Sequence, residues 1–334
     1  MSEPIGDRPV RWAILGAGGI AATVGSEIQA SPTNEVAAVG ARDLGRARAL
    51  ADQLGAPRAY GSYAELVADE ADVVYIATTH GQHHEHTLLA LSAGKPVMVE
   101  KAFTLNARQA REVIGEARRR RLFCMEAMWM RCTPLIRLAR EWIAQGRIGA
   151  VRSVAVDLSV PFPYDPTHRL YDLAAGGGAM LDLGVYSSTF AYLFLGAPTS
   201  VTATGALAPT GADTTIAMQW AYGDDRYAHV ACTSQGPSSC RGEVRGTDGY
   251  LQVGPRFHHP DTLTSVAGPD RDTETVHVEV PGKGYGPEID EVERCLRAGL
   301  TESPLVPLDD TLAIMEIMDD ARAQVGVRYP AAGE

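Results

Sequence analysis

The chain predicts an α/β protein: an N-terminal Rossmann-type doubly wound parallel sheet, then an α/β domain with an open, mostly antiparallel sheet. Three observations carry this. Over roughly the first 120 residues, short apolar runs alternate with helix-period segments, as in a parallel sheet covered on both faces. The first run ends in Gly16-Ala17-Gly18-Gly19-Ile20-Ala21, a glycine turn opening a helix. From Ser200 to Val280, strand-like runs succeed one another with little helix between them, which favours antiparallel pairing.

In chain order, Val10–Leu15, Val36–Gly40, Val73–Ala77 and Val97–Val99 read as buried strands. Helical periodicity lies between them in Ile20–Ala30, Leu44–Leu54, Tyr63–Ala68 and Thr87–Ala93. Asn106 can cap the next helix, with Gln109 three residues on and Leu105 as a staple. That helix runs to about Arg121, and its run Arg118-Arg119-Arg120-Arg121 complements the negative helix end rather than forming a binding tract. After Cys124 the character changes. Pro134–Gln145 is helical and stops at Gly146, Val151–Val160 is strand-like, and a helix carrying Asp182 and Tyr186 is stopped by Gly196-Ala197-Pro198. Turns follow at Gly223-Asp224-Asp225, Gly236-Pro237 and Asp248-Gly249, and helices near Pro287–Ala298 and Asp309–Gln324 close the chain. With no repeat or flexible linker, the change of pattern divides the chain into 1–124, nucleotide-binding, and 125–334, substrate-binding and oligomerising.

A net charge of -11 argues against a nucleic-acid surface and offers nothing to an anionic membrane. No apolar stretch is long enough to span a bilayer, and Met1–Asp7 lacks the pattern of a signal peptide. The cysteines at 124, 132, 232, 240 and 295 are odd in number and never form a C-x-x-C pair, so a reducing cytoplasm suits the chain.

The glycine turn reads G-x-G-x-x-A. Gly16 permits the tight turn, Gly18 lets backbone approach a pyrophosphate, and Ala21 allows close helix–strand packing; Gly19 and Ile20 begin the helix whose N–H groups face the phosphates. At the tip of the second strand an acidic residue would hold a ribose 2′-hydroxyl. Here stands Arg42, with Arg46 one turn on, and a guanidinium suits a 2′-phosphate. NADP is therefore expected ahead of NAD, with an ordinary surface arginine as the alternative for Arg42.

Two distant segments look like halves of one catalytic site. Val99-Glu100-Lys101-Ala102-Phe103 supplies a cation at the carboxyl end of a parallel strand, where open α/β sheets bind ligands. Gly176-Gly177-Gly178-Ala179-Met180-Leu181-Asp182-Leu183-Gly184-Val185-Tyr186 places a carboxylate and a phenol four residues apart, on one helical face. Cation, phenol and carboxylate suit proton transfer at a hydroxyl or carbonyl. Each has a plainer reading: Lys101 solvated, Tyr186 packed among Leu181, Val185, Phe190 and Leu193, Asp182 capping the helix or paired with an arginine. Trp129, with Met128 and Arg131, is either core or a substrate-facing wall on which a sugar ring can lie. Arg169 and Tyr285 are further pocket candidates. The histidines at 80, 83, 84 and 86 match no recognised metal-ligand spacing, so no metal is expected. His258-His259, before Pro260, carries no chemistry readable from sequence.

Together with Ala77-Thr78-Thr79-His80, Met125-Glu126-Ala127-Met128-Trp129-Met130-Arg131 and His168-Arg169-Leu170, these segments resemble the glucose-fructose oxidoreductase/inositol dehydrogenase (Gfo/Idh/MocA) family along nearly the whole chain. The resemblance is nearest to the dimeric dihydrodiol dehydrogenases and NADP-dependent D-xylose dehydrogenases. It implies cofactor contacts at Thr78, His80, His83, Glu100 and Lys101, and an open sheet that forms a homodimer or homotetramer interface. The family's Glu-Lys-Pro maps onto Glu100-Lys101-Ala102, so the proline is lost; tyrosine stands at 186, as in the dihydrodiol group. The expected activity is hydride transfer between nicotinamide and a hydroxyl or carbonyl carbon of a sugar, cyclitol or cyclic trans-diol. Tyr186 would exchange the proton, Lys101 assist it and Asp182 orient the substrate. A ketosugar reductase and a non-catalytic NADP-binding sensor or assembly protein are the alternatives, and a pure binder would not require Lys101, Asp182 and Tyr186.

Overall fold

The computed structural model describes residues 5–330. Residues up to Met128, together with Pro281–Thr311, form one compact unit; Trp129–Val280 and the described residues from Leu312 on form the other.

In the first unit the expected alternation becomes β1 (Val10–Leu15), α1 (Gly19–Ala30), β2 (Asn34–Gly40), α2 (Leu44–Leu54), β3 (Arg58–Tyr60), α3 (Tyr63–Val67), β4 (Val73–Ile76), α4 (His80–Ser92), β5 (Val97–Glu100), α5 (Ala107–Arg120) and β6 (Cys124–Ala127). The six strands are parallel, in the order β3-β2-β1-β4-β5-β6. This is the doubly wound Rossmann arrangement, whose order reverses between β1 and β4 and opens a crevice at the strands' carboxyl ends. Apolar side chains on both sheet faces, among them Trp12, Ile14, Leu15, Val74 and Val99, are fully buried.

Local signals explain most boundaries. The Asp43 carboxylate accepts from Arg46 N at 2.8 Å and starts α2; Asn106 accepts from Gln109 N at 3.0 Å and starts α5. The Gln109 side chain accepts from Leu105 N at 3.2 Å. The arginine run engages carboxylates, Arg118 with Glu302 and Asp309, Arg119 and Arg120 with Glu116. Helix α4 departs from expectation by beginning at His80 instead of Thr87. Its first turns carry histidines, which read in sequence as a strand-to-helix turn with His84 and His86 on the exposed side of the helix; His80, His83 and, against that expectation, His86 are buried. Strands β3 and β6 are too short and too polar for period-based reading; β6 contains Glu126, buried because Phe103 N and Thr311 Oγ1 donate to it.

The second unit contains α6 (Pro134–Ala144), β7 (Val151–Ser159), α7 (Val185–Leu195), β8 (Ser200–Leu207), β9 (Asp213–Ala221), β10 (Tyr227–Thr233), β11 (Gly242–Gly246), β12 (Gly249–Val253), β13 (Thr262–Ala267) and β14 (Asp272–His277). Its eight strands run in the order β14-β13-β12-β11-β7-β10-β9-β8, antiparallel except for the β7–β10 pair. Alternation sends Ile216, Met218, Trp220, Val230 and Cys232 inward, while Ala217, Gln219 and His229 remain exposed on the open face. Helix α7 packs on the inward face against β7 and β10.

The last helices are α8 (Gly286–Arg297) and α9 (Leu308–Val325). A single division at residue 124 does not describe these units, because residues 281–311 return to the first one. Glu293 on α8 accepts from Thr33 Oγ1 at 2.7 Å and Asn34 Nδ2 at 2.8 Å, and Thr301 O accepts from Cys124 N on the edge strand β6.

Candidate active site

In the first unit, neighbouring strand ends gather the expected cofactor residues. Gly16 follows β1, Thr78 and His80 follow β4, and Glu100 and Lys101 end β5. Gly16 has φ +121°, and a Cβ there would lie 2.5 Å from Ala77 O, so only glycine permits this approach of the turn to the next strand end. At Gly18 and Gly19 a Cβ would meet open space. Helix α1 begins there with no side-chain cap, leaving its first N–H groups directed at whatever occupies the cradle. Ile20 is half-buried beneath it. Arg42 is exposed at the tip of β2, and Arg46 Nη2 donates to Ala17 O at 3.0 Å, tying the glycine turn to α2. These residues fit a dinucleotide phosphate with a further anion near Arg42.

The Lys101 segment is held by the α4 histidines. His80 Nε2 donates to Lys101 O at 3.1 Å. His83 Nδ1 lies 2.9 Å from Ala102 O and Nε2 3.2 Å from Thr78 O. Burial pushes His83 down to about 3, so the neutral ring donates to one carbonyl at a time. His86 Nδ1 meets Thr78 Oγ1 at 3.1 Å, and His84 Nε2 meets Glu112 at 2.8 Å. Among the described residues no group of three or more His, Cys, Asp or Glu is arranged to hold a metal. The Lys101–Ala102 peptide bond is cis. Glu100, buried, accepts from Tyr75 Oη at 2.5 Å and from Lys101 N at 3.2 Å. Burial first, then the Glu100 carboxylate, pushes the Tyr75 phenol well up, which suits it as a donor.

In the second unit the triple-glycine segment behaves differently from the regular helix expected. Met180–Gly184 is a π-helical turn, with Val185 N–H reaching Met180 O, and α7 continues from it. A π turn widens the helix and recurs at functional sites. The glycines allow close packing: a Cβ on Gly177 would lie 2.6 Å from Leu170 O, and Gly178 has φ +131°. Asp182, 6 % exposed, pairs with Arg169, Nη2 to Oδ2 3.2 Å. Tyr186, also 6 % exposed, accepts a 2.6 Å hydrogen bond from Trp129 Nε1, with the two rings edge to face. Arg131 is buried in the same short 3₁₀ turn as Trp129.

Within this unit the structure brings together Trp129 with Tyr186 and Arg169 with Asp182. It adds two residues that sequence spacing could not find: His258 and His259 stack on each other beside Trp129 and Tyr186. No local pattern links positions so far apart in the chain.

Comparison with known proteins agrees with this geometry. Residues 10–128 match the oxidoreductase family with an NAD-binding Rossmann fold, and residues 136–252 match the GFO/IDH/MocA C-terminal domain. The chain is 36% identical to mouse (Mus musculus) trans-1,2-dihydrobenzene-1,2-diol dehydrogenase, over 96% of this chain and 98% of that protein. The human (Homo sapiens) protein of the same name is 34% identical over the same shares. Among solved structures, a 3-ketoreductase from Actinomadura kijaniata in complex with NADP and TDP-benzene superposes with a TM-score of 0.83 at 26% identity, over 95% of this chain and 98% of that one. Levoglucosan dehydrogenase, complexed with NADH and levoglucosan, shares the fold with a TM-score of 0.86 at 19% identity, over 95% and 97%. A glycine cradle on a parallel sheet, a lysine at its strand end and an aspartate-bearing π turn that leads into the tyrosine's helix in a second unit thus belong to a member of the Gfo/Idh/MocA family of nicotinamide-dinucleotide-binding oxidoreductases.

Proposed function

We propose that this protein is an NADP-dependent oxidoreductase acting at the CH–OH or C=O carbon of a sugar, cyclitol or cyclic trans-diol, with Tyr186 as the proton donor and acceptor. The observation that carries the reading is the 2.6 Å hydrogen bond from Trp129 Nε1 to the Tyr186 phenol, one turn from the Asp182–Arg169 pair. An indole N–H aimed at a phenol oxygen stabilises the phenolate, the form that takes a proton from an alcohol. Bringing a tyrosine from about 10 to near 7 requires on the order of 4 kcal/mol. The ammonium of Lys101 is the proposed main source, with Trp129 adding to it. Asp182, oriented by Arg169, accepts a substrate hydroxyl. The bound nicotinamide supplies the hydride acceptor or donor. Gly16, Gly18, Gly19 and Ile20 hold its phosphates on the first turn of α1, Thr78, His80, His83 and Glu100 shape the strand-end floor, and Arg42 takes the 2′-phosphate. Trp129 and Arg131 form the proposed substrate wall.

A ketosugar reductase is the second reading, favoured by the likeness to the 3-ketoreductase; it runs the same proton and hydride steps in the opposite direction. We place the protein in the cytoplasm, where five cysteines without disulfide partners are stable, and as a homodimer or homotetramer through the open face of its eight-stranded sheet.

Tyr186→Phe tests the proton assignment. It removes one oxygen, so NADP(H) binding should be kept while kcat falls by about a hundred- to ten-thousand-fold. Lys101→Met should impair the same step and move the kcat–pH profile for oxidation upward, and the double variant should lose less than the sum of the two. Near-native turnover in Tyr186→Phe with intact cofactor binding would assign the proton to another group.

A further inference from the structure

Beyond α9 the chain turns at Gly326, φ +91°, and packs Tyr329 against the triple-glycine segment. Tyr329 is fully buried, and its Oη donates to Gly177 O at 2.7 Å. The guanidinium of Arg322, itself buried in the last turn of α9, lies 4.8 Å over the Tyr329 ring. The ring is thus held from α9 while its hydroxyl meets a backbone carbonyl 152 positions earlier. Gly177 is also where both halves of the Asp182–Arg169 pair are anchored. A Cβ there would lie 2.7 Å from Arg169 O, so the arginine's own backbone packs directly on this glycine. One residue on, Gly178 O accepts from Asp182 N at 3.3 Å. A Cβ on Gly178 would lie 3.1 Å from Tyr329 Oη and 2.2 Å from Asp213 Oδ1, so phenol and carboxyl converge on one glycine. If the segment after α9 required packing alone, phenylalanine would fill the same space. The hydroxyl adds one directed bond, at the residue on which the pair is built.

Resting on the assignment of Asp182 as the carboxylate that takes a substrate hydroxyl, we propose that Tyr329 is a positioning residue for the Asp182–Arg169 pair. It acts through Gly177. A peptide unit is planar, so fixing the direction of Gly177 O fixes ψ of Gly177 and φ of Gly178 together. The latter is +131°, a value that favours glycine and sets the direction in which the chain enters the π turn at Met180–Gly184. Asp213 holds the next point along, accepting from Met180 N at 2.6 Å. Without the Tyr329 bond, Gly176, Gly177 and Gly178 have no side chains to limit their backbone, and Asp182 shifts relative to Arg169. A displacement of about 1 Å in a positioned group can cost on the order of a hundredfold in rate. One hydrogen bond to a neutral carbonyl contributes little to the stability of a chain this size. The two effects are therefore separable.

Tyr329→Phe tests this, since it keeps the ring under Arg322 and removes one oxygen. Turnover with NADP⁺ is measured on D-xylose, myo-inositol and trans-1,2-dihydrobenzene-1,2-diol, one from each proposed substrate class. For the best of the three, kcat/KM should fall by about tenfold or more, with NADP(H) affinity unchanged and Tm lowered by no more than about 4 °C. Amide hydrogen exchange should quicken by about tenfold across residues 180–186 and stay unchanged in β1 and β5. Combined with Asp182→Asn, the fold-losses should multiply to less than their product, because both changes act on one carboxylate. A purely structural anchor would give losses that multiply in full. That outcome, an unchanged kcat/KM, or unchanged exchange at residues 180–186 overturns the proposal. Near-native kcat/KM in Asp182→Asn, or turnover of none of the three substrates, removes instead the reading beneath it, and the positioning role falls with that reading. Exchange that still quickens in Tyr329→Phe then tells the two failures apart.

Discussion

At the scale of single residues, two arginines show how far a side-chain type can be read alone. Arg42 stands exposed at the tip of β2 with no acidic residue in its place, while Arg46 is committed to Ala17 O. The 2′-phosphate role is accordingly proposed for Arg42 and not for Arg46, which stiffens the turn beneath. Arg42→Asp replaces a phosphate partner with a like charge, so it should raise Kd for NADP(H) by about tenfold or more and leave NAD(H) nearly unchanged. Equal losses for both cofactors, measured by fluorescence titration, would remove Arg42 from the 2′-phosphate site. Arg169 teaches the converse. Sequence offered a capping or pairing role for Asp182 beside a substrate role; the structure shows the pairing, at 3.2 Å, and the substrate role proposed for Asp182 would use the carboxylate that Arg169 orients.

At the scale of elements, the segment carrying Asp182 and Tyr186 owes its geometry to a strand far along the chain. Asp213, at the start of β9, accepts from Met180 N at 2.6 Å, and a Cβ on Gly178 would lie 2.2 Å from Asp213 Oδ1. This clamp secures the first N–H groups of a helical segment that has no cap of its own. Burial pushes Asp213 up to about 6, outweighing the Met180 hydrogen bond that favours the charged form. A carboxyl raised above its unfolded value of about 3.9 contributes stability that is fully present below pH 4 and lost as pH rises through 6. Asp213→Asn is neutral throughout and can still accept from Met180 N. Its stability relative to the unaltered chain should therefore grow between pH 4.5 and 8, by about 2 kcal/mol. Urea denaturation across that range measures it, and a pH-independent difference would mean that Asp213 titrates normally.

At the scale of the whole molecule, the units are not consecutive in sequence. The first unit draws in Pro281–Thr311, which contributes Glu293 to Thr33 and Asn34, Thr301 to the edge of β6, and Thr311 to buried Glu126. A fragment ending at residue 128 would expose that edge strand and leave Glu126 with a lost partner. Such a fragment should aggregate or melt without cooperativity by circular dichroism. The same fragment joined to residues 281–311 by a flexible linker should melt cooperatively. A cooperative transition in the short fragment would show that the returning segment is dispensable. Among the described residues no helix is long and apolar enough to cross a membrane.

The sequence by itself determined what depends on neighbours a few residues apart. Strand and helix periods, the caps at Asp43 and Asn106, and the glycine spacing at Gly16 and Gly18 are set by local sterics and hydrogen bonding. It also marked Lys101, Asp182 and Tyr186 as residues needing a reason, because charge and phenol in apolar segments are costly without one. Tertiary structure alone decided how they are held. The Trp129–Tyr186 bond spans 57 positions, the Asp213 clamp 33 and the Thr311–Glu126 bond 185. The π turn, the buried α4 histidines, the His258–His259 stack and the return of α8 follow from packing among such distant partners. Local periodicity cannot encode them, because the free energy that selects them is gained only when the chain closes on itself.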